Sequence, residues 1–426
     1  MNCQEIQLTE VIKDIAAGPF GSNLKVSCFV NEGFPIVDGA NLKRFKVTDN
    51  ITKFVTEEKA RSLHRSIAKR GDVVVTISGT LGQIAYIPND SKYEEYLCSQ
   101  RQFRVTFDTT KVYVPYLVFY FHTYEGQHKI LSFANQVGVP ALSQPLKNFR
   151  QITVQLPDIK TQKKIANIVE VLNGKIEENE NINNNLEQQA KTLFKSWFVD
   201  FEPFDESFVD SPIGTKIPHS LQMVQIGSLS HILETGKRPK GGAVATGVPS
   251  IGAENVKRLG EVNFASAKYI PVEFAQKMDK GKVHGYELML YKDGGKPGTF
   301  IPHFSMFGEG FPYDDFYINE HVFKLDFGDK GFNEFCYFYL QTDYPYNWLA
   351  NNGGKAAVPG INQQDVNSIW IYHPDNPIVK EYCKWVQPIF TTILRNCSQN
   401  VKLSQLRDAL LPKLMSGKLD VSDIEI

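Results

Sequence analysis

One residue pattern in this chain could in principle carry out catalysis, and it is a weak one. Asp49 with Glu57-x-Lys59 resembles the carboxylate and lysine set of a metal-dependent nuclease. The same set arises readily by chance where 22% of residues are charged, and no structural context supports it. A phosphate-binding GxxxxGK[ST] loop, an HExxH zinc motif and the Pro-Pro-aromatic signature of adenine methyltransferases are all missing from the sequence. We therefore predict a protein without catalytic residues, metal or cofactor.

Composition predicts a folded, multidomain protein. The 426 residues are too many for one ordinary core, and 42% of them are hydrophobic. Six cysteines occur without a CxxC pair, so neither a zinc cage nor a disulfide framework is indicated. No run of about 20 apolar residues is present, and the N-terminal sequence lacks a signal-peptide pattern, which predicts a cytoplasmic protein. Because the formal net charge is only -1, any nucleic-acid function must use local basic patches or a basic partner.

The second half of the chain repeats landmarks of the first half in the same order. Apolar, proline and polar positions return with an offset that drifts by only a few residues, which surface loops can absorb. The paired landmarks are Gly33-x-Pro35 with Gly247-x-Pro249, Asn41-x-Lys43-Arg44 with Asn255-x-Lys257-Arg258, Phe103/Val105/Phe107 with Phe323/Leu325/Phe327, and Val139-Pro140 with Val358-Pro359. The phenylalanine triplets alternate as a half-buried strand does. The sequence thus predicts two related domains.

Two long helices with the same heptad register are predicted, one after each repeat. Their shared apolar seam contains one asparagine in each helix, and the seam positions are Leu172, Asn179, Leu186 and Leu193 in the first and Ile389, Asn396, Leu403 and Leu410 in the second. Asparagine in a seam lowers stability but fixes the register, because a slipped pairing would leave its amide without a partner. We expect the helices to pair with each other; the alternative is that each packs on its own domain with its asparagine exposed.

Over essentially its full length the chain resembles the specificity subunits of type I restriction-modification enzymes. The motifs that carry this resemblance are GPFGSNLK at 18–25, LPDI at 156–159 followed by Gln162, IGTKIP at 213–218 and LRDALLPKLMSG at 406–417. The start of the second helix departs from the pattern, because HPDNP at 373–377 is not followed by an equivalent of Gln162.

The resemblance implies an α+β protein with two tandem target recognition domains, each followed by a long helix, the two helices forming an antiparallel coiled coil. The implied segments are a first domain at 1–158, a central helix at 159–203, a second domain at 204–376 and a C-terminal helix at 377–426. It also implies a non-catalytic subunit that reads a bipartite asymmetric site on double-stranded DNA and docks two methyltransferase subunits and restriction (motor-nuclease) subunits. A stiff helix pair would then set the separation of the half-sites.

Side chains that read DNA must stand on loops, where they can reach phosphates or base edges. We expect them in loops that combine glycine with polar or basic residues, and the candidates are Ser22, Lys25, Lys43, Arg44, Ser78 and Thr80 in the first repeat and Lys237, Arg238, Lys240, Lys257, Arg258, Lys296 and Lys355 in the second. Each basic loop could instead be a solvated turn. Aromatic clusters around Tyr116 and Phe335 could stack on bases, but core packing explains them better.

A second function class fits the duplication equally well: a coiled-coil scaffold that organises other proteins without touching nucleic acid. A sequence preference in a DNA-binding measurement separates the two hypotheses.

Overall fold

A computed structural model describes residues 3–135, 139–355 and 358–423, so the outermost residues of the predicted first domain and last helix, 1–2 and 424–426, lie outside it. Contacts divide the chain into two compact units. The first unit comprises Met1–Gly174 and Ser404–Ile426, and the second comprises Lys175–Leu403. Both boundaries fall inside long helices, so the units do not coincide with the predicted segments, in which each long helix stands apart from the domains. No helix in the described ranges has an apolar stretch long enough to span a lipid bilayer.

The first unit combines short strands with helices, and its strands occur mainly before its helices. The strands are β1 Cys3–Gln7, β2 Ile12–Ala17, β3 Phe29–Val30, β4 Phe34–Val37, β5 Phe54–Val55, β6 Ile67–Lys69, β7 Val73–Thr76, β8 Ile84–Tyr86, β9 Glu95–Cys98, β10 Gln102–Phe107, β11 Ala134–Asn135, β12 Ala141–Leu142 and β13 Thr153–Pro157. The helices are α1 Glu57–Ser62, α2 Val114–Phe121, α3 Tyr124–Leu131, α4 Pro145–Gln151 and the first part of α5, Ile159–Phe198.

The central sheet of the first unit has the strand order β2-β10-β7-β8 and is antiparallel. Its middle strand β10 carries Phe103, Val105 and Phe107, all at most 3% exposed, on alternate positions as the sequence pattern predicts. A second sheet has the order β3-β5-β4-β9-β6, in which β4 and β9 run parallel. Strand β1 pairs with β13, the strand that leads into α5.

The second unit has a similar mixture of elements. Its strands are β14 Phe208–Asp210, β15 Lys216–Pro218, β16 Met223–Gln225, β17 Ile232–Thr235, β18 Val248–Ile251, β19 Lys268–Ile270, β20 Leu288–Tyr291, β21 Phe304–Met306, β22 Tyr317–Ile318, β23 Val322–Asp326 and β24 Trp370–Tyr372. Its helices are α6 Val272–Ala275, α7 Lys330–Tyr339, α8 Asp343–Gly353, α9 Gln363–Asn367 and most of α10, Pro377–Met415.

The strand order of the first unit recurs in the second. The sheet β17-β23-β20-β21 matches β2-β10-β7-β8, the pair β16-β24 matches β1-β13, and the parallel pair β18-β22 matches β4-β9. Main-chain hydrogen bonds agree in detail: Ser99 N donates to Val37 O at 2.9 Å, and Asn319 N donates to Ile251 O at 2.9 Å. The repeated landmarks of the sequence therefore lie at equivalent places in two similarly connected units.

The aromatic clusters are core residues. Tyr116, Phe119 and Phe121 of α2 are at most 1% exposed within the first unit, and Phe335 of α7 is fully buried within the second. Ring-to-ring contacts fill the second core, such as Phe332 with Phe335 at 5.5 Å between centroids. None of these rings is available for stacking on a base.

Helix α5 begins at Ile159 and ends at Phe198, five residues before the end of the segment predicted for it. Asp158 caps its start, because its carboxylate accepts from the amides of Lys160 at 2.9 Å and Thr161 at 3.1 Å. The helix ends just before Phe201, whose φ of 58° is left-handed. Helix α10 begins at Pro377, although its start lacks an equivalent of Gln162, and it ends at Met415, eleven residues before the end of the segment predicted for it.

Each long helix contributes to the core of whichever unit surrounds it. In the first unit, Ile165 and Val169 of α5 and Leu411 and Leu414 of α10 are at most 4% exposed among the sheet residues. In the second unit the buried residues of these helices include Ala190, Phe194, Phe198, Val386, Phe390 and Ile393. Each half of a long helix packs on the sheet of its own unit. The boundary between the units therefore lies within both helices and not at their ends.

Candidate nucleic-acid interface

A cleft of about 650 Å³ opens on the first unit, and we call it the first cleft. The candidates Ser78 and Thr80 line it together with Gly79, on the loop that follows strand β7. Gly79 has a φ of +97°, a backbone conformation that L side chains rarely adopt. A main-chain hydrogen bond fixes this loop, because Gly79 N donates to Pro140 O at 3.0 Å. The predicted glycine loop therefore forms one wall of a concave surface.

The opposite wall of the first cleft comes from the turn between β9 and β10, which is not among the predicted DNA-binding loops. Gln100, Arg101 and Gln102 line it. The side-chain amide of Gln100 donates to Gly21 O at 3.2 Å and to Leu24 O, which ties this turn to the glycine-rich segment at 18–25. The signal that could have found the turn is its polar run SQRQ directly before the alternating phenylalanine strand.

The candidates of the glycine-rich segment, Ser22 and Lys25, are not among the residues that line the first cleft. Ser22 and Lys25 are exposed, while Leu24 between them is 4% exposed and anchors the segment. Leu24 and Val26 both line the cleft, so Lys25 lies between two lining residues. Lys43 and Arg44 are exposed in another loop and do not line this cleft.

The second unit has a larger cavity, of about 980 Å³, which we call the second cleft. It brings together three predicted residues from distant parts of the sequence: Lys257, Arg258 and Lys296. All three are exposed, and within the described ranges no carboxylate lies within 4.0 Å of their charged nitrogens. His303 lines the same cleft, and burial, helped by the charge of Lys257, lowers its pKa. The cleft therefore holds three solvated cations beside a histidine that favours its neutral form.

The basic loop at 236–240 is different, because its cations have acidic partners. The ammonium of Lys237 lies 2.5 Å from Asp279, and the guanidinium of Arg238 lies 3.7 Å from Glu320. Both line a smaller cavity of about 140 Å³, whereas Lys240 is exposed outside it. Exposed ion pairs of this kind open readily, since they contribute at most about 1 kcal/mol each.

Lys355 is the remaining predicted cation, and it stands at the end of helix α8. Its ammonium donates to the side chain of Asn352, in the last turn of that helix, at 2.7 Å. The residue is exposed and lines none of the three cavities described above.

The long helices meet through polar side chains as well as apolar ones. Within the second unit, the Asn179 amide donates to Gln399 Oε1 at 2.9 Å and to Asn400 Oδ1 at 2.8 Å, and the Asn396 amide donates to Asn183 Oδ1 at 2.8 Å. Asn179 is 1% exposed and Asn396 is 8% exposed. Residue numbers fall on one helix as they rise on the other, so the contacting segments are antiparallel. Both seam asparagines thus bind the opposite helix, but they do not bind each other.

Apolar seam positions surround these amides. Leu186, Leu193 and Ile389 are partly buried against the core of the second unit. In the first unit Leu410 is partly buried against the core, and Arg407 donates to Asn173 Oδ1 at 3.0 Å across the two helices. Leu172 and Leu403 are half-buried.

The weak nuclease-like pattern has a structural explanation. The Asp49 carboxylate accepts from the Tyr96 hydroxyl at 2.6 Å and from the Lys92 amide at 3.0 Å, so it supports the fold of the first unit. Burial and the hydrogen bond to Asp49 raise the pKa of Tyr96 to about 12. Among the residues that the structure describes, no cluster of three or more His, Cys, Asp or Glu side chains has the arrangement of a metal site.

Comparison with known proteins assigns this architecture to a class. Residues 28–188 match the family model described as the type I restriction modification DNA specificity domain. The chain is 24% identical over 385 residues to the type I restriction enzyme MjaIX specificity subunit of Methanocaldococcus jannaschii, covering 87% of this chain and 82% of that protein. It is 23% identical over 418 residues to the type I restriction enzyme HindI specificity subunit of Haemophilus influenzae, covering 82% and 87% respectively.

A solved structure has the same fold. The crystal structure of the type I restriction-modification system S subunit from M. genitalium superposes with a TM-score of 0.58 at 13% identity, covering 97% of this chain and 96% of that one. Residues 28–188 thus match a type I DNA specificity domain, and the chain is similar over more than four fifths of its length to two type I specificity subunits, as the sequence motifs indicated. These comparisons support the function of a non-catalytic specificity subunit.

Proposed function

We propose that residues 1–158 and 204–376 are two target recognition domains, each of which reads one half of a bipartite, asymmetric DNA site. The observation that carries this proposal is the occurrence of the same strand order in two units with cations around their clefts. Lys43-Arg44 and Lys257-Arg258 are equivalent in the repeat and exposed in both units. Exposed cations at matching places suit the phosphate backbone, which supplies most of the sequence-independent affinity for DNA.

The long helices of the segments 159–203 and 377–426, α5 and α10, pair as an antiparallel coiled coil that keeps the two recognition domains at one separation. A bipartite site with an unread spacer requires such stiffness, because a flexible tether would accept several spacer lengths. The hydrogen bonds of Asn179 and Asn396 support this part of the proposal, since each amide is buried and satisfied in only one register.

The partners of the chain are double-stranded DNA, two methyltransferase subunits and the restriction subunits of the same enzyme, in the cytoplasm. A net charge of -1 supports a shared interface, because a protein that neutralises many phosphates alone usually has a basic surface. We therefore expect the isolated chain to bind DNA weakly and the chain with its methyltransferase to bind it tightly.

The test is a binding selection with the reconstituted complex. The chain is mixed with its methyltransferase subunits and presented with duplexes of random sequence at fixed salt concentration, and the bound duplexes are sequenced. We expect two short conserved blocks separated by a constant number of unread base pairs. Bound duplexes without any sequence preference would contradict the proposal and favour a scaffold.

A domain exchange tests the assignment of the two halves. Replacing residues 1–158 by the corresponding domain of a relative should change one conserved block and leave the other block and the spacer length unaltered. The matched control exchanges residues 204–376 and should change the other block. A change of both blocks in either exchange would show that the domains do not read separately.

A further inference from the structure

Arg101 of the first unit and His321 of the second occupy equivalent positions. Ile77 N donates to Arg101 O at 2.6 Å, and Lys292 N donates to His321 O at 3.0 Å. The loops that face them also match, because Gly79 N binds Pro140 O at 3.0 Å and Gly294 N binds Pro359 O at 2.9 Å. The position before each residue therefore corresponds too, which pairs Gln100 with Glu320.

The repeat offset that pairs Phe103 with Phe323 also places Arg101 opposite His321, but the two side chains have unlike chemistry. Ser78 and Asp293 are equivalent by the same criterion: each forms an isolated bridge to the strand segment opposite, at Ala141 and Gly360 respectively. The position shared by Arg101 and His321 therefore has the neutral Ser78 beside it in the first unit and the carboxylate of Asp293 in the second.

In the first unit the guanidinium at this position is available. Arg101 is exposed, lines the first cleft, and within the described ranges has no carboxylate within 4.0 Å. Its Nη1 atom lies 3.7 Å from the point where a Cβ would stand on Gly79. Among the described residues, Asp38 is the acidic side chain that lines the cleft, and Lys53 binds it at 2.6 Å. A fork of N–H donors at the mouth of a neutral cleft suits the O6 and N7 acceptors of guanine.

In the second unit the equivalent position presents acceptors. The ring of His321 lies between Asp293, which contacts Nδ1, and Glu320, 3.3 Å from Nε2. Arg238 and Lys292 flank the two carboxylates at 3.7 Å and 2.5 Å. Burial raises the pKa of Asp293, but the hydrogen bonds from Lys292 and His321 outweigh it and hold that pKa below its ordinary value. Each ionised carboxylate has lone pairs beyond those its neighbours use.

We propose that this shared position is a specificity position with opposite chemistry in the two halves: Arg101 reads a guanine, and Glu320 with Asp293 reads a base that offers an exocyclic amino group in the major groove. The inference rests on the proposed DNA-reading function. Cytosine N4 and adenine N6 are the two such amino groups, and they share the donor that a carboxylate accepts. The unlike pair makes the two half-sites differ although the domains are related.

The experiment is the binding selection described above, repeated with single variants in the reconstituted complex. For Arg101→Ala we expect one guanine position in one conserved block to lose its preference by roughly 5- to 150-fold, the range for one bidentate contact, with the other block unchanged. Arg101→Lys keeps the charge but not the fork, so it should restore overall affinity without restoring most of the preference. The control Lys384→Ala changes an exposed helix residue that lines none of the cavities and should leave both blocks unaltered.

Glu320→Ala tests the other half. It should weaken the preference for cytosine or adenine at one position of the second block only, and the identity of the base lost shows which amino group was read. The inference is overturned if Arg101→Ala lowers binding to all sequences equally, which would indicate a phosphate contact, or if either variant alters the block assigned to the other domain. A wild-type complex without any sequence preference would refute the proposed function itself, so the two failures are distinguishable. Thermal unfolding of each variant, unchanged from wild type, excludes a folding defect.

Discussion

Replacement of Asn179 by aspartate is the most direct test of the polar contacts between the two long helices. Asn179 is 1% exposed, and its amide donates to two oxygen acceptors, on Gln399 and Asn400, at 2.9 and 2.8 Å. Aspartate has nearly the same shape but no donor. The variant loses two hydrogen bonds, each contributing about 0.5–1.5 kcal/mol, and directs a buried negative charge at two oxygens.

We expect Asn179→Asp to lower the free energy of unfolding of the second unit by about 3–5 kcal/mol. For a unit of this size, that corresponds to a decrease of about 6–20 °C in the midpoint of its thermal transition. Asn184→Asp is the matched control, because it makes the same chemical change on the same helix at an exposed position. It should alter stability by no more than about 0.5 kcal/mol.

The measurement is differential scanning calorimetry of the full chain at neutral pH, in which the transition of the second unit is followed in wild type and both variants. If Asn179→Asp and Asn184→Asp unfold within about 1 kcal/mol of each other, Asn179 is not held in the buried, satisfied environment described here. The inferred role of the seam asparagines in fixing helix register would then have to be abandoned.

Three further changes test other parts of the structure. Tyr382→Phe removes the buried hydroxyl that donates to Ala190 O at 3.0 Å between the long helices, and should lower stability by about 1 kcal/mol in chemical denaturation. Burial raises the pKa of Glu187 above its ordinary value despite a hydrogen bond from a tyrosine. The fold favours the neutral form of Glu187, so the stability that this form contributes is present at acid pH and is lost as pH rises through the folded-state pKa. Glu187→Gln should therefore raise stability at neutral pH and leave it unchanged below pH about 4. Lys257→Ala with Arg258→Ala should weaken DNA binding of the complex for all sequences alike and reduce the slope of log affinity against log salt by about 2; an unaltered slope would place these cations away from phosphate.

The length of the helix pair provides a functional test of its own. Insertion of one helical turn into both helices adds about 5.4 Å, which is between one and two base-pair steps of about 3.4 Å. We expect the selected sites to gain one or two unread base pairs while both conserved blocks keep their sequence. An unchanged spacer in the binding selection would show that helix length does not set the separation.

Much of the local structure could be predicted from the sequence because its cause is local. The alternation of Phe103, Val105 and Phe107 is a property of five consecutive residues, and they lie in β10 as expected. The heptad pattern likewise predicts α5, because helix periodicity depends on neighbours three and four positions away. Repeated landmarks then indicated that the same elements occur twice.

The partners of the seam asparagines could not be predicted, because periodicity fixes the face of a helix but not its axial position against another helix. The shared register indicated that Asn179 and Asn396 hold equivalent seam positions, but not that Gln399 and Asn400 would bind Asn179. Asn179, Gln399 and Asn400 come into contact only because of the way in which each helix packs on the sheet beside it.

The sequence also could not show which of the basic loops have acidic partners. Lys237 and Arg238 are the densest basic cluster near a glycine in the second repeat, but their acidic neighbours Asp279 and Glu320 lie over 40 residues away in sequence. Arg101 was not predicted as a DNA-binding residue, because it is a single charge beside a strand. Only the folded structure shows that it is exposed in a cleft. Charge in a loop is local, whereas its neutralisation is a property of the folded chain.

The division of the helices between the units has a consequence for biosynthesis. Leu411, Leu414 and Val421 are at most 4% exposed in the core of the first unit, although the ribosome makes them only after all of residues 175–403. During translation of the second unit, the first unit therefore lacks these residues and exposes the apolar surface that they later cover. Such a surface is a natural substrate for chaperones, and ribosomes stalled near residue 400 should retain them until the remaining segment emerges.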